Sequence, residues 1–199
     1  WDILDDRVLA VMKEVPRERF LPEAYEGLAF ADTSIPIGHG EVMLPPKLQG
    51  RLLQAVEPGP RDSVLEIGTG SGFLTACLSR LAEKVESIDI REAFVRDAAD
   101  RLEAISGLSP TLHCADGLAV DFTDRYDVIV VTGALPIYDD RFERALAPGG
   151  RLFIVVGAPP VREAWLVTAD AAGGTRRDVL FETDIPELCH ARQPERFAF

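Results

Sequence analysis

The feature that most constrains this chain is a short apolar run that breaks into alternating glycines. Ser63-Val64-Leu65-Glu66-Ile67 reads as a strand and Gly68-Thr69-Gly70-Ser71-Gly72 as a turn. Phe73 to Ala82 reads as a helix, with Phe73, Leu74, Cys77, Leu78 and Leu81 along one side. Glycine tolerates positive φ and lets a ligand approach the backbone closely. A strand that feeds a helix through such a turn belongs to an open α/β sheet, whose ligands sit at the carboxyl ends of the strands.

The following segments repeat the alternation. Val85 to Ile90 is a second strand, and Arg91 to Ile105 a second helix capped by Gly107. Thr111 to Ala115 is a third strand and Tyr126 to Thr132 a fourth. The run Val128-Ile129-Val130-Val131 suits a strand covered on both faces. Asp139 to Leu146 is a helix stopped by Pro148-Gly149-Gly150, and Arg151 to Val156 is a fifth strand. The pattern predicts an α/β fold: a Rossmann-like, doubly wound, mostly parallel sheet. Trp165 to Thr168 and Asp178 to Glu182, joined by Ala171-Ala172-Gly173-Gly174, add an antiparallel C-terminal hairpin.

Upstream, Asp2 to Glu14 has helical spacing with Asp2 as N-cap, and Val15-Pro16 ends it. Phe20 to Pro46 is expected to be irregular, and Lys47 to Val56 a short helix. The tail after Pro186 carries no readable pattern. A length of 199 residues fits one domain over 1–199. Its parts are N-terminal helices and a substrate loop (1–60), a cofactor-binding core (61–157), and a C-terminal hairpin and tail (158–199).

Charge narrows the partners. The 21 Lys and Arg against 33 Asp and Glu give −12, and no basic run is present. Neither nucleic acid nor an anionic membrane surface is an expected partner, because both need clustered cations. No stretch approaches the ~20 apolar residues of a membrane span, and no secretory signal is visible. Cys77, Cys114 and Cys189 are odd in number and widely spaced, which fits reduced thiols in a cytoplasmic protein. His39, His113 and His190 are scattered too, so no metal site is expected.

The glycine pattern selects among ligands. A dinucleotide fingerprint requires glycine where this chain has Phe73, and no Gly-Lys-Ser/Thr follows for a phosphate loop. The motif is instead Glu-x-Gly-x-Gly-x-Gly, with Glu66, Gly68, Gly70 and Gly72. Asp89 ends the second strand 19 residues after Gly70, where a carboxylate can accept from both hydroxyls of a ribose. These residues resemble the first motifs of class I S-adenosylmethionine-dependent methyltransferases, and Asp116-Gly117 resembles the position that meets the adenine amino group there. The implied cofactor is S-adenosyl-L-methionine. The residues expected to bind it are Glu66, Gly68, Thr69, Gly70, Ser71, Gly72, Asp89, Ile90, Asp116, Gly117 and Thr132.

Further segments sharpen the resemblance. Val15-Pro16-Arg17-Glu18-Arg19-Phe20-Leu21-Pro22 and Ile35-Pro36-Ile37-Gly38-His39-Gly40 are similar to the protein-L-isoaspartate (D-aspartate) O-methyltransferase family. Asp127 to Ala134 and Leu146 to Leu152 continue the match, which spans about Val15 to Val156. The resemblance implies methylation of the carboxylate of isoaspartyl residues in proteins or peptides, with Ile37, Gly38, His39, Gly40 and Leu44 facing the substrate. The family usually continues Gln-Thr-Ile-Ser after Gly-His-Gly and gives that serine an active-site role. This chain has Glu41-Val42-Met43-Leu44, so that role does not carry over and no catalytic residue is named. Methylation of a different acceptor, or cofactor binding without isoaspartyl activity, stays open at this point.

The chemistry tolerates the missing hydroxyl. A carboxylate is ionised at neutral pH and needs no general base. The protein must align oxygen, methyl and sulfur and exclude water. His39 therefore suits a loop-fixing role better than proton transfer. Glu41 would repel an anionic acceptor or complement a sulfonium. Tyr126 and Trp165, and the stripe Phe94, Leu102 and Ile105, are expected to pack in the core rather than line the site.

Overall fold

The computed structural model describes residues 4–195. Its centre is a seven-stranded sheet in the order β5-β4-β3-β6-β7-β8-β9. The strands are β3 (Ser63–Ile67), β4 (Lys84–Asp89), β5 (Thr111–Cys114), β6 (Tyr126–Leu135), β7 (Leu146–Val156), β8 (Arg162–Ala169) and β9 (Thr175–Thr183). The first five are parallel, while β8 and β9 return antiparallel, as the alternation and the Gly-Gly turn predict.

The chain runs outward through β3, β4 and β5, then crosses back to place β6 on the other side of β3. Strand order reverses between β3 and β6, and that switch point opens a crevice at the strand carboxyl ends. Alternate residues of the central strands feed two cores. Val64, Val128 and Val130 join the side chains of α1 (Asp6–Glu14), α2 (Pro46–Val56), α3 (Phe73–Leu81) and α4 (Glu92–Glu103). Leu65, Ile129 and Val131 pack with Phe142 of α5 (Arg141–Arg144) and with Ala191 of the tail. That two-sided burial is why Val128 to Val131 lacks polar alternation.

Several boundaries differ from the sequence reading, each for a local reason. The first helix starts at Asp6, because the Asp5 side chain accepts from the Arg7 N–H at 2.8 Å, and Asp2 lies outside the described residues. The stretch 20–46 is not wholly irregular. A 3-10 turn at Arg17–Phe20 leads into it, and it holds a second at Glu23–Leu28, then a small hairpin of β1 (Ile35–Gly38) and β2 (Glu41–Met43). Gly38, His39 and Gly40 all take positive φ, which reverses the chain and brings Ile35 opposite Met43. Helix α4 ends at Glu103, where the Ala104 N–H closes on Asp100, so Gly107 lies beyond the cap. The helix expected over Asp139–Leu146 is only Arg141–Arg144, and Pro148-Gly149-Gly150 falls within β7 as a register shift opened by Gly149.

Candidate active site

The crevice is an open cleft of about 920 Å³, counting its mouth. Its floor is the glycine turn between β3 and α3. Gly68, Gly70 and Gly72 have φ of +97°, +51° and +88°, conformations that side chains resist. The Gly68 N–H donates to the Ile88 carbonyl at 2.7 Å, and the Thr132 hydroxyl reaches the Ile67 and Gly68 carbonyls at 2.9 and 3.0 Å. A Cβ at Gly68 would collide with the Thr132 Oγ1. Gly68→Ala is therefore expected to cost about 1–3 kcal/mol through its backbone alone. Isothermal titration should show cofactor affinity reduced at least tenfold, and unchanged affinity would separate the turn from the ligand. Gly72 serves differently. It caps α3 and lies where a Cβ would press on Ala98 of α4, outside the cleft lining.

Carboxylates line the strand ends. Asp89 Oδ2 accepts from the Gly70 N–H at 2.8 Å and Oδ1 from the Arg91 N–H at 2.9 Å. Burial pushes its carboxyl above the ordinary range, against those two hydrogen bonds. The same contacts hold the acid rigidly at the lip of the glycine turn with lone pairs to spare. Asp116, after β5, accepts from the Leu118 N–H at 2.8 Å and pairs with the His190 Nδ1 at 2.7 Å. Burial acts to raise its carboxyl, but the hydrogen bonds of His190 and Leu118 outweigh it and the net shift is downward.

Glu66 lies beneath the turn with no exposed surface. Its Oε2 accepts from the Thr75 hydroxyl and from the Ser87 hydroxyl at 2.6 Å. Ser87 spends its only proton there, so Thr69 Oγ1, 2.6 Å away, donates to it. Oε1 has no partner among the described residues. Burial raises the Glu66 carboxyl to about 7. An orphaned acid oxygen at the wall of a cleft suits a cationic ligand group, so the residues present fit an amino-acid-bearing nucleoside.

The N-terminal segment forms the opposite wall through Ile37, Glu41, Val42, Met43, Leu44 and Gln49. Arg17, 1% exposed, fixes it from behind. Its Nε donates to the Ala29 carbonyl at 2.6 Å, its Nη2 to the Leu44 carbonyl at 2.7 Å, and its Nη1 to Gln49 Oε1. The guanidinium also stacks on Phe73, 4.7 Å from the ring centroid. Glu41 is bound by Arg91 at 3.0 Å, so its charge is answered within the protein.

The structure brings most of the expected residues together. Glu66, Gly68, Thr69, Gly70, Ser71, Asp89, Ile90, Asp116, Gly117, Thr132, Ile37 and Leu44 all line the cleft. Gly38, His39 and Gly40 are outside its lining and form the β1–β2 turn, where the His39 ring meets Phe94 edge-on at 5.4 Å. Phe94, expected in the core alone, also lines the cleft, because α4 starts at the rim. Tyr126 bonds Glu86 and Trp165 bonds Glu163, both away from the cleft.

Among the wall residues that sequence reasoning misses, two sets bear on the chemistry. One is Gln49, an ordinary helix residue in sequence. The other is the tail, where Pro186, Glu187, Leu188 and Cys189 cover the cleft. The tail docks by an Ala134 N–H to the Pro186 carbonyl at 2.8 Å and a Leu188 N–H to the Ala134 carbonyl at 3.0 Å. Arg162, 5% exposed, clamps it through Asp184, the Ile185 carbonyl and Glu187. These contacts are long-range, and no local pattern announces them.

A reversed α/β sheet with this turn and an acid at each of the next two strand ends defines a methyltransferase of class I. Residues 2–178 match the model of the family described as protein-L-isoaspartate(D-aspartate) O-methyltransferase. The protein-L-isoaspartate O-methyltransferase 1 of Cupriavidus necator is 38% identical over 173 residues, covering 86% of this chain and 67% of that one. Its counterpart from Halorhodospira halophila is 35% identical over 189 residues, covering 94% and 86%. The chain belongs to this family. Its fold superimposes with a TM-score of 0.77 on a Plasmodium falciparum chain described as a putative protein-L-isoaspartate O-methyltransferase, solved in complex with S-adenosyl-L-homocysteine. That pair is 20% identical and covers 92% and 90% of the two chains, a likeness of fold.

Proposed function

We propose that this protein is an S-adenosyl-L-methionine-dependent O-methyltransferase that esterifies the carboxylate of isoaspartyl residues in proteins or peptides. The observation that carries the reading is the pairing of Gly70 with Asp89 across the ends of β3 and β4, beside the switch point, in a chain of this family. When bound, the cofactor supplies an electrophilic methyl group on sulfur. Asp89 would accept from the ribose hydroxyls, Ile90 and Asp116-Gly117 would flank the base, and Glu66 with the Gly68–Ser71 backbone would hold the amino-acid end. Thr132 keeps the turn in shape through its two carbonyl contacts.

The acceptor carboxylate arrives ionised, so no side chain has to remove a proton. One of its oxygens would take the methyl group as the methyl–sulfur bond breaks, which would leave the methyl ester and the thioether S-adenosylhomocysteine. Ile37, Val42, Leu44 and the tail exclude water and fix the approach, the kind of positioning worth ~7–11 kcal/mol of a bimolecular barrier. The N-terminal segment, the core and the hairpin with its tail act as one unit, since the cleft takes walls from all three. A cytoplasmic setting suits the free Cys77, Cys114 and Cys189.

The test is transfer of labelled methyl from the cofactor to an isoaspartyl peptide and to its aspartyl twin. Base-labile label is expected in the first alone. Equal labelling, or none, defeats the proposed acceptor.

A further inference from the structure

The cleft has two ends of different chemistry. Asp89 at the end of β4 and Asp116 just after β5 suit hydroxyls and an amino group, which places a nucleoside at that end. The other side of the cleft is the N-terminal wall of Ile37, Val42, Leu44 and Gln49, where Ile37 stands against the glycine turn at Gly70. An acceptor that enters the cleft along the N-terminal segment meets this wall. Leu44 offers it only methyl groups, since its carbonyl is turned to Arg17.

Gln49 is the polar exception. It is 4% exposed, yet it lines the cleft. It hangs on the same guanidinium as Leu44, which puts the two side by side. Arg17 has only donors to offer, so the carboxamide must present Oε1 to it. That choice settles the flip of the amide and leaves Nε2 as the free corner. Among the described residues no protein acceptor meets Nε2. A buried amide with one end gripped by a cation and the other at a cleft wall is a preorganised donor, and the cation polarises it further.

We propose that Gln49 is the acceptor-binding residue, donating from Nε2 to the carboxylate that is methylated. The inference rests on the proposed function and deepens it by naming the group that holds the acceptor. Its role is binding and orientation. The carboxylate loses charge as the ester forms, so a donor to it favours the bound reactant over the transition state. Removing the donor should raise KM much more than it lowers kcat.

Gln49→Glu is the informative variant, because it keeps size and leaves an oxygen for Arg17 while replacing the donor by an anion. Steady-state kinetics with an isoaspartyl peptide should show KM at least tenfold higher, kcat within about threefold, and cofactor affinity by calorimetry within twofold. Adding Leu44→Ser to this variant places a hydroxyl beside the lost donor and should recover at least threefold in KM. An unchanged KM, a loss of cofactor affinity in step with KM, or no recovery by the serine overturns the role. Wild-type turnover is the reference. If it is present and Gln49→Glu matches it, only Gln49 is displaced. If the wild type leaves the isoaspartyl peptide untouched, the proposed function and this role fall together.

Discussion

Arg17→Met is expected to lower the unfolding free energy by about 3–5 kcal/mol, a loss on the scale of whole-domain stability. Arg17 satisfies three buried acceptors from three segments: the Ala29 carbonyl, the Leu44 carbonyl and the Gln49 amide. Methionine fills the space and keeps contact with Phe73, but it donates nothing, and each stranded acceptor costs about 1–3 kcal/mol. All three acceptors are neutral oxygens. Burial lowers the Arg17 pKa to about 10, so it stays cationic at neutral pH. Arg17→Lys cannot span all three acceptors and should recover only part of the loss. Urea denaturation measures both variants. A cost below about 1 kcal/mol for methionine would show that the N-terminal wall is held by something else.

Glu66→Gln is expected to stabilise the protein and weaken its ligand at once. Burial raises the Glu66 carboxyl from 4.5 to about 7. Between those values the folded chain holds a proton that the unfolded chain releases, so wild-type stability falls as pH rises through that window. Glutamine does not titrate, keeps an oxygen for Thr75 and Ser87, and escapes that loss. The variant should melt near the wild type at pH 5 and be more stable at pH 8 by about 1–3 kcal/mol, because each pH step of one across that window is worth about 1.36 kcal/mol. Cofactor affinity at pH 8 should fall at least tenfold, because a cationic group loses an anionic partner. Thermal melts at the two pH values and calorimetric titration check both parts. Equal stabilisation at both pH values would assign the titration to another group, and unchanged affinity would remove Glu66 from the ligand.

The two variants mark a divide between residues placed by local geometry and residues placed by distant partners. Glu66, the glycines and Asp89 are legible in the sequence because each sits at a fixed offset within one strand–turn–helix–strand unit, where local geometry repeats. Gln49 is not legible. Its helix looks amphipathic and its buried face reads as core, and only the guanidinium of a residue 32 positions earlier turns its amide to the cleft. His39, expected to fix its loop, stands in a turn against Phe94. Phe94, expected in the core, also reaches the cleft because α4 starts at its rim.

Apolar periodicity and glycine spacing alone determined the alternation of strands and helices, the mostly parallel sheet it implies and the closing hairpin, since these patterns are local to each element. Tertiary structure alone decided the walls. A buried arginine gathers the N-terminal segment, and Arg162 pins a patternless tail over the cleft. Such contacts join residues far apart in the chain, and their strength comes from burial, which exists only once the chain has folded.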